Sequence, residues 1–196
     1  SKDNENIIDQ ELMHSGIDNK HKVNIQECLE RVLNIPLHGI YRNISLNKIS
    51  SENMIHEMAF DMPIATHGPP INSHDIRNIF KKDSMAKYGK DYYPKINDLN
   101  FICKGFLSGS IDLVFCDNND LGKRKWWVLD WKSNWIGAQS DNKDMIECGP
   151  YHYDNESMDK QMINHHYPLQ SHIYLLALHR FLKWRLPNYL PEAHLG

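Results

Sequence analysis

Hydrophobic and polar positions alternate along residues 109–116 (GSIDLVFC) and again along 126–135 (WWVLDWKSNW). Both runs are rich in β-branched and aromatic residues, so both predict strands. The polar stretch between them, DNNDLGKRK, carries Asn, Asp and Gly and predicts a turn, making the pair a hairpin. A third alternating run, MIHEMAFDM at 54–62, sets Met58, Phe60 and Met62 against Glu57, Ala59 and Asp61 and predicts a strand ended by Pro63. Elsewhere the period is helical. Ile25, Cys28, Leu29 and Val32 share a face over 24–35, with Asn24 as N-cap and Glu27 completing a capping box. Residues 73–82 predict a short helix capped by Ser73, and 155–166 a further helix. The clearest helical stripe is 168–186, where Leu169, Ile173, Leu176, Ala177 and Phe181 face a core, Pro168 suits the first turn and Pro187 closes the helix. Residues 1–22 read as polar and loose, 67–70 (HGPP) as a loop, 83–98 as irregular, 99–107 as extended, and 136–153 as a loop or flap. The order of elements predicts a mixed α/β domain, with helices packed against a small central sheet.

The chain has 196 residues, 41% of them apolar, enough for one domain with a sizeable core. A net charge of −3 and a pI near 6.4 exclude a long electrostatic DNA footprint made by this chain alone. Any DNA contact is then local, or is completed by other parts of a larger protein. Cys28, Cys103, Cys116 and Cys148 are widely spaced with no CxxC, as expected of free thiols in a reducing compartment. No signal peptide and no apolar run of membrane-spanning length is recognisable, so no membrane association and a cytoplasmic location are expected.

The chemistry concentrates in the hairpin. A hairpin centred on Leu121 sets Asp112 opposite Asp130, and opposed like charges on a sheet are destabilising unless a cation lies between them. Side chains at i and i+2 share a strand face, so Lys132 projects beside Asp130. Apolar neighbours on both sides make each carboxylate at least partly buried, and a buried charge needs a partner or a metal. Against this stands the plainer reading, in which a strand aspartate faces solvent and a D-x-K triplet arises by chance. Gln170 and Tyr174 lie four apart on one face of the last helix. They suit a phosphate or a bound water, or equally an ordinary first-turn residue and a core tyrosine with a solvated tip. Glu57 either reaches the same region or forms a structural pair with a lysine. His165 and His166, as helical neighbours, point apart and do not share a metal. Trp127 and Trp131 fall on the face opposite Asp130 and are expected to pack under helices, whereas Trp135 is placed to stack on a base.

The segments GFLSGSIDLVF, VLDWKSNWIG and YPLQSHIYLLALHRFLKWRLPNY, densely from 105 to 196, resemble the C-terminal nuclease domains of RecB-type helicase–nucleases. HEMAFDMPI at 56–64 resembles them more weakly. These are the exodeoxyribonuclease V enzymes of the PD-(D/E)xK superfamily. The resemblance implies a restriction-endonuclease-like core over 54–186, a helical N-terminal part over 1–50, and truncation at both ends from a larger protein. It implies a Mg²⁺-dependent (or Mn²⁺-dependent) deoxyribonuclease. Asp112, Asp130 and the Trp131 backbone carbonyl would be metal ligands and Lys132 the catalytic lysine, with Gln170 and Tyr174 as the QxxxY motif. It implies DNA, as single strands, as substrate, other subunits of a helicase–nuclease complex as partners, and ATP use only in helicase domains outside this chain. One feature departs from the family: no upstream histidine ligand in a G-x-x-x-H-like setting is found, and His14 has the wrong neighbours. The cysteine spacing does not fit an iron–sulfur cluster, and none is expected. Two other readings are a non-catalytic nuclease-like domain for DNA binding or subunit contact and, for want of base-reading elements less well supported, a site-specific duplex endonuclease.

Overall fold

The computed structural model describes residues 2–37, 44–82, 88–118, 124–139 and 146–196. The chain divides into two compact units, Ser1–Met54 and Ile55–Gly196. The first contains helices α1 (Lys2–His14) and α2 (Lys22–Asn34). The stretch expected to be loose is therefore largely helical. Asp3, Asn4, Asn6 and Asp9 favour caps and turns over helix interiors and disguise the helix in a reading of the sequence. In α2 the helix starts two residues before the expected Asn24 cap, with His21 at the N-cap and no capping hydrogen bond.

In the second unit, β1 (Met54–Ile64), β4 (Gly105–Asn118) and β5 (Arg124–Leu129) form a three-stranded sheet in the order β1–β4–β5. Two shorter pairs accompany it, β2 (Ile71–Asn72) with β3 (Ile102–Cys103), and β6 (Ala138–Gln139) with β7 (Ile146–Glu147). The helices are α3 (Ser73–Lys82), α4 (Gly89–Tyr92), α5 (Asn155–Asn164), α6 (Tyr167–Arg185) and α7 (Pro191–His194). The fold is mixed α/β, a small sheet flanked by helices, as the order of elements predicted. Among the described residues, no helix is long and apolar enough to cross a membrane.

β4 is the central strand, which explains why Ile111, Leu113, Val114, Phe115 and Cys116 are buried without alternation. Met58 and Met62 of β1, Ile111 and Val114 of β4, and Ala177, Leu178 and Leu182 of α6 make one core cluster. The helix stripe is rotated from the predicted one: Leu176 is exposed, while Leu178 and Leu182 are buried. Consequently 170, 174, 178 and 182 form one i, i+4 row. Its C-terminal half is core and its N-terminal half carries the Gln and Tyr of the candidate motif.

A second cluster, Phe80, Tyr92 and Ile96 with Ile163 and Leu169 packed on it, fixes the start of α6. Three further expectations are corrected nearby. Asn72, not Ser73, caps α3: its Oδ1 accepts from the N–H groups of His74 and Asp75, and Asp75 Oδ2 accepts from Asn72 N–H, closing a capping box. Residues 88–98, expected to be irregular, hold α4 and a single 3₁₀ turn at Lys95–Asp98, while 83–87 lie outside the described residues. Pro63 lies inside β1 rather than ending it, and its carbonyl accepts from Arg180 Nη1 at 2.9 Å.

The α5–α6 junction turns at His166, which adopts left-handed φ of 58° and shares a hydrogen bond of 2.9 Å between its Nδ1 and the Tyr92 hydroxyl. Burial pushes the Tyr92 hydroxyl up to about 12, so it stays neutral. Burial, reinforced by the Lys95 charge and only partly offset by Asp98, holds His166 below its ordinary 6.5. The unfolded chain therefore takes up a proton first as pH falls. Stability from this group is complete above 6.5 and is lost as pH falls from there through the lower folded value. Thermal melts between about pH 7.5 and pH 5 should show a smaller loss for His166→Asn, which tolerates the left-handed backbone without titrating, than for the unsubstituted protein.

Candidate active site

The β4–β5 ladder runs from Asn118↔Arg124 to Leu113↔Leu129. One further step along this register brings Asp112 opposite Asp130, the pairing expected from a hairpin centred on Leu121; the turn residues 119–123 lie outside the described residues. The ladder stops there. β5 ends at Leu129 rather than running to 135, and the Trp131 N–H donates to Asp112 Oδ2 at 2.7 Å. A carboxylate thus takes the donor that a strand carbonyl would otherwise have taken, and the chain leaves the sheet at the candidate residues themselves.

Asp130 is 17% exposed, and its Oδ2 is buried. The Lys132 ammonium sits against it as an ion pair. Lys132 Nζ also donates to Gln170 Oε1 at 2.8 Å, and Gln170 Nε2 donates to the Tyr174 hydroxyl at 2.8 Å. The two ends of the candidate motif therefore meet the lysine through one relay. Tyr174 combines both readings made from sequence: its ring packs edge-on against Phe60 of β1 at 6.0 Å, while its hydroxyl faces the relay. Burial raises its pKa, so the hydroxyl remains protonated at neutral pH. Asp130, Lys132, Gln170 and Tyr174 line one cavity of about 360 Å³, together with Trp127, Met162 and Tyr167.

Two participants escaped sequence reasoning. The Tyr167 ring lies under Lys132, with Nζ 4.3 Å from its centre, and its hydroxyl donates to Asn134 Oδ1 at 2.9 Å. Tyr167 precedes Gln170 by three residues, one helical turn, and Asn134 follows Lys132 by two. Those spacings were the available signal. Glu57 is tied to the Ser110 hydroxyl, which donates to its Oε2 at 3.1 Å, in place of the lysine partner considered from sequence. Ser110 precedes Asp112 by two residues on the same face of β4. Trp131 is 51% exposed and does not pack under a helix; leaving the ladder turns it outward. Trp135 is 52% exposed. His165 stacks on Tyr167 while His166 bonds Tyr92, so the two imidazoles serve different neighbours.

The donor chemistry fits a hard divalent cation. Asp112 and Asp130 lie one residue beyond the last pair of the ladder, and the oxygen donors they carry are those a hard cation takes. Among the described residues, no group of three or more His, Cys, Asp or Glu side chains gathers as a metal site, so the pair has no imidazole completing it.

A small sheet with helices packed across it, and acids clustered where a hairpin ladder ends, is consistent with a nuclease-like core. No family model matches the sequence. The chain is 30% identical over 197 aligned positions to the RecBCD enzyme subunit RecB of Buchnera aphidicola subsp. Baizongia pistaciae, covering 98% of this chain and 14% of that protein. It is 29% identical to the same subunit of Escherichia coli, covering 97% of this chain and 14% of the relative. With that of Mycolicibacterium smegmatis the figures are 28% identity, 82% and 15%. The chain corresponds to one segment of RecB-type subunits and spans about 14% of their length.

Proposed function

We propose that this chain is the metal-dependent DNA nuclease region of a RecB-type helicase–nuclease, hydrolysing phosphodiester bonds during double-strand-break processing and recombinational repair. The observation that carries the reading is the arrangement at the end of the β4–β5 ladder, where the Lys132 ammonium pairs with the buried Asp130 carboxylate and Asp112 Oδ2 accepts from the Trp131 N–H. The nuclease core is assigned to residues 54–186 and the helical N-terminal part to 1–50, within a larger protein whose helicase domains use the ATP. DNA reaches the site as single strands, and the other subunits of the complex are the partners.

Asp112, Asp130 and the Trp131 backbone carbonyl would hold Mg²⁺ or Mn²⁺. A divalent ion there supplies Lewis-acid polarisation of the scissile phosphate and acidifies water. The chain's own groups do the rest. With Asp130 holding a cation, the Lys132 ammonium would be free to face the negative charge that develops on the phosphate oxygens. Gln170 Oε1 keeps that ammonium in range, and the Tyr174 hydroxyl keeps the Gln170 amide from rotating. With a net charge of −3, the chain grips DNA locally at this cavity rather than along an extended basic face.

The test is cleavage of end-labelled single-stranded DNA by the full-length protein in Mg²⁺, with and without chelator. Cleavage that stops on chelation and returns with added Mg²⁺ is the expected result. DNA and metal binding without cleavage would instead favour the non-catalytic reading.

A further inference from the structure

A flexible lysine acts where its surroundings aim it, and the surroundings of Lys132 contain an aiming side chain outside the recognised motifs. We propose that Tyr167 is a positioning residue that, anchored by Asn134, holds the Lys132 ammonium over its ring and so fixes the direction from which the lysine meets the phosphate. The inference rests on the nuclease reading above and deepens it.

Lysine is a point charge on a four-carbon stem with many accessible rotamers. Among the described residues its charged head has three neighbours: the Asp130 carboxylate, Gln170 Oε1 at 2.8 Å, and the Tyr167 ring with its centre 4.3 Å from Nζ. If a cation takes the carboxylate, only the amide oxygen and the ring face remain to hold the ammonium. The amide oxygen gives one directional bond. The ring face attracts the cation through its quadrupole and blocks one side of it. Together they leave a restricted arc for Nζ, open toward the cavity that Lys132, Tyr167 and Gln170 line.

The ring is itself fixed at both ends. Its backbone opens α6, and the next residue, Pro168, is buried. Its hydroxyl donates to Asn134 Oδ1 at 2.9 Å, while the Asn134 carbonyl accepts from the Tyr153 hydroxyl at 3.1 Å. Asn134 is therefore held through side chain and backbone by tyrosines from two separate elements. It ties the segment after Asp130, which has left the sheet, back to the helix that carries Gln170. His165 stacks on Tyr167, with ring centres 5.5 Å apart and planes 20° apart, and limits the ring's tilt.

The experiment is steady-state cleavage of single-stranded DNA in Mg²⁺ by the full-length protein and its Tyr167→Leu, Tyr167→Phe and Asn134→Ala variants, each checked by thermal melt. Tyr167→Leu should lower kcat about 10- to 100-fold with KM for DNA unchanged, because a misaimed group slows the chemical step without weakening binding. Tyr167→Phe keeps the ring face and should recover most of that loss. Asn134→Ala removes the same hydroxyl anchor while keeping the ring and should resemble Tyr167→Phe. Should Tyr167→Leu fail to fold, Tyr167→Met, which also lacks the ring face, gives the same comparison against Tyr167→Phe. Tyr167→Leu at wild-type kcat, or Tyr167→Phe as slow as Tyr167→Leu, would overturn the assignment while the nuclease reading stands. Absence of cleavage by the unsubstituted protein would overturn both.

Discussion

Full-length protein carrying Lys132→Ala is expected to cleave DNA about 10²–10³-fold more slowly than the unsubstituted protein, the usual scale for removing one electrostatic stabiliser of a transition state. The magnitude follows from where the ammonium sits. It is 28% exposed, paired with Asp130 and hydrogen-bonded to Gln170, so it acts in a partly desolvated setting where its charge is poorly screened. Lys132→Arg should not restore the rate. A planar guanidinium forks its donors and cannot replace a compact ammonium held between an amide oxygen and a ring face. Divalent-ion binding should move the other way. In this structure the ammonium occupies the Asp130 carboxylate, so removing it frees a ligand, and Mn²⁺ should bind as well or better. Wild-type turnover by Lys132→Ala would remove the lysine from the mechanism. Loss of Mn²⁺ binding together with activity would mean that the variant had disturbed the fold rather than the chemistry.

The second large effect concerns the helix that carries the relay. Leu178 is fully buried between α6 and the sheet, one helical turn beyond Tyr174. Leu178→Ala should cost about 2–5 kcal/mol of stability, the transfer term plus the cavity left behind. In denaturant the midpoint should fall with little change in slope, since the same surface is exposed on unfolding. Cleavage at low temperature should survive, because Gln170 and Tyr174 lie on the part of the row pinned by Phe60 and by the Tyr92 cluster. A loss of less than about 1 kcal/mol would contradict the packing of α6 on β1 and β4 described above.

The hairpin register was legible in the sequence because side chains alternate with a period of two and the polar turn has a definable centre. Asp112 opposite Asp130 followed from that alone. The end of β5 was not legible. WKSNW alternates as well as WWVL does, and only the Asp112 carboxylate capturing the Trp131 N–H shows where the ladder stops. The same event explains Trp131, assigned to a helix-covered face by alternation and found exposed. In α6 the period was right and its phase was off by a fraction of a turn, because Leu176 and Leu178 are equally apolar and only the sheet decides between them. Helix α1 escaped because its Asp and Asn residues read as turn formers. Gln170 and Tyr174 stood out by their spacing, yet their link to Lys132 joins residues 38 apart in sequence. Tyr167 and Asn134 join across 33 residues, and their spacings from Gln170 and Lys132 hint at each residue without announcing the pair.

If Asp112 and Asp130 together hold the divalent ion needed for DNA cleavage, removing both charges must abolish it. The most direct test is Mg²⁺-dependent cleavage of single-stranded DNA by the full-length protein beside its Asp112→Asn/Asp130→Asn double variant. Asparagine keeps the size and can keep the Trp131 N–H bond while removing both charges. Cleavage by the unsubstituted protein and none by a folded double variant is the predicted result; equal cleavage by the two would contradict the assignment of this site.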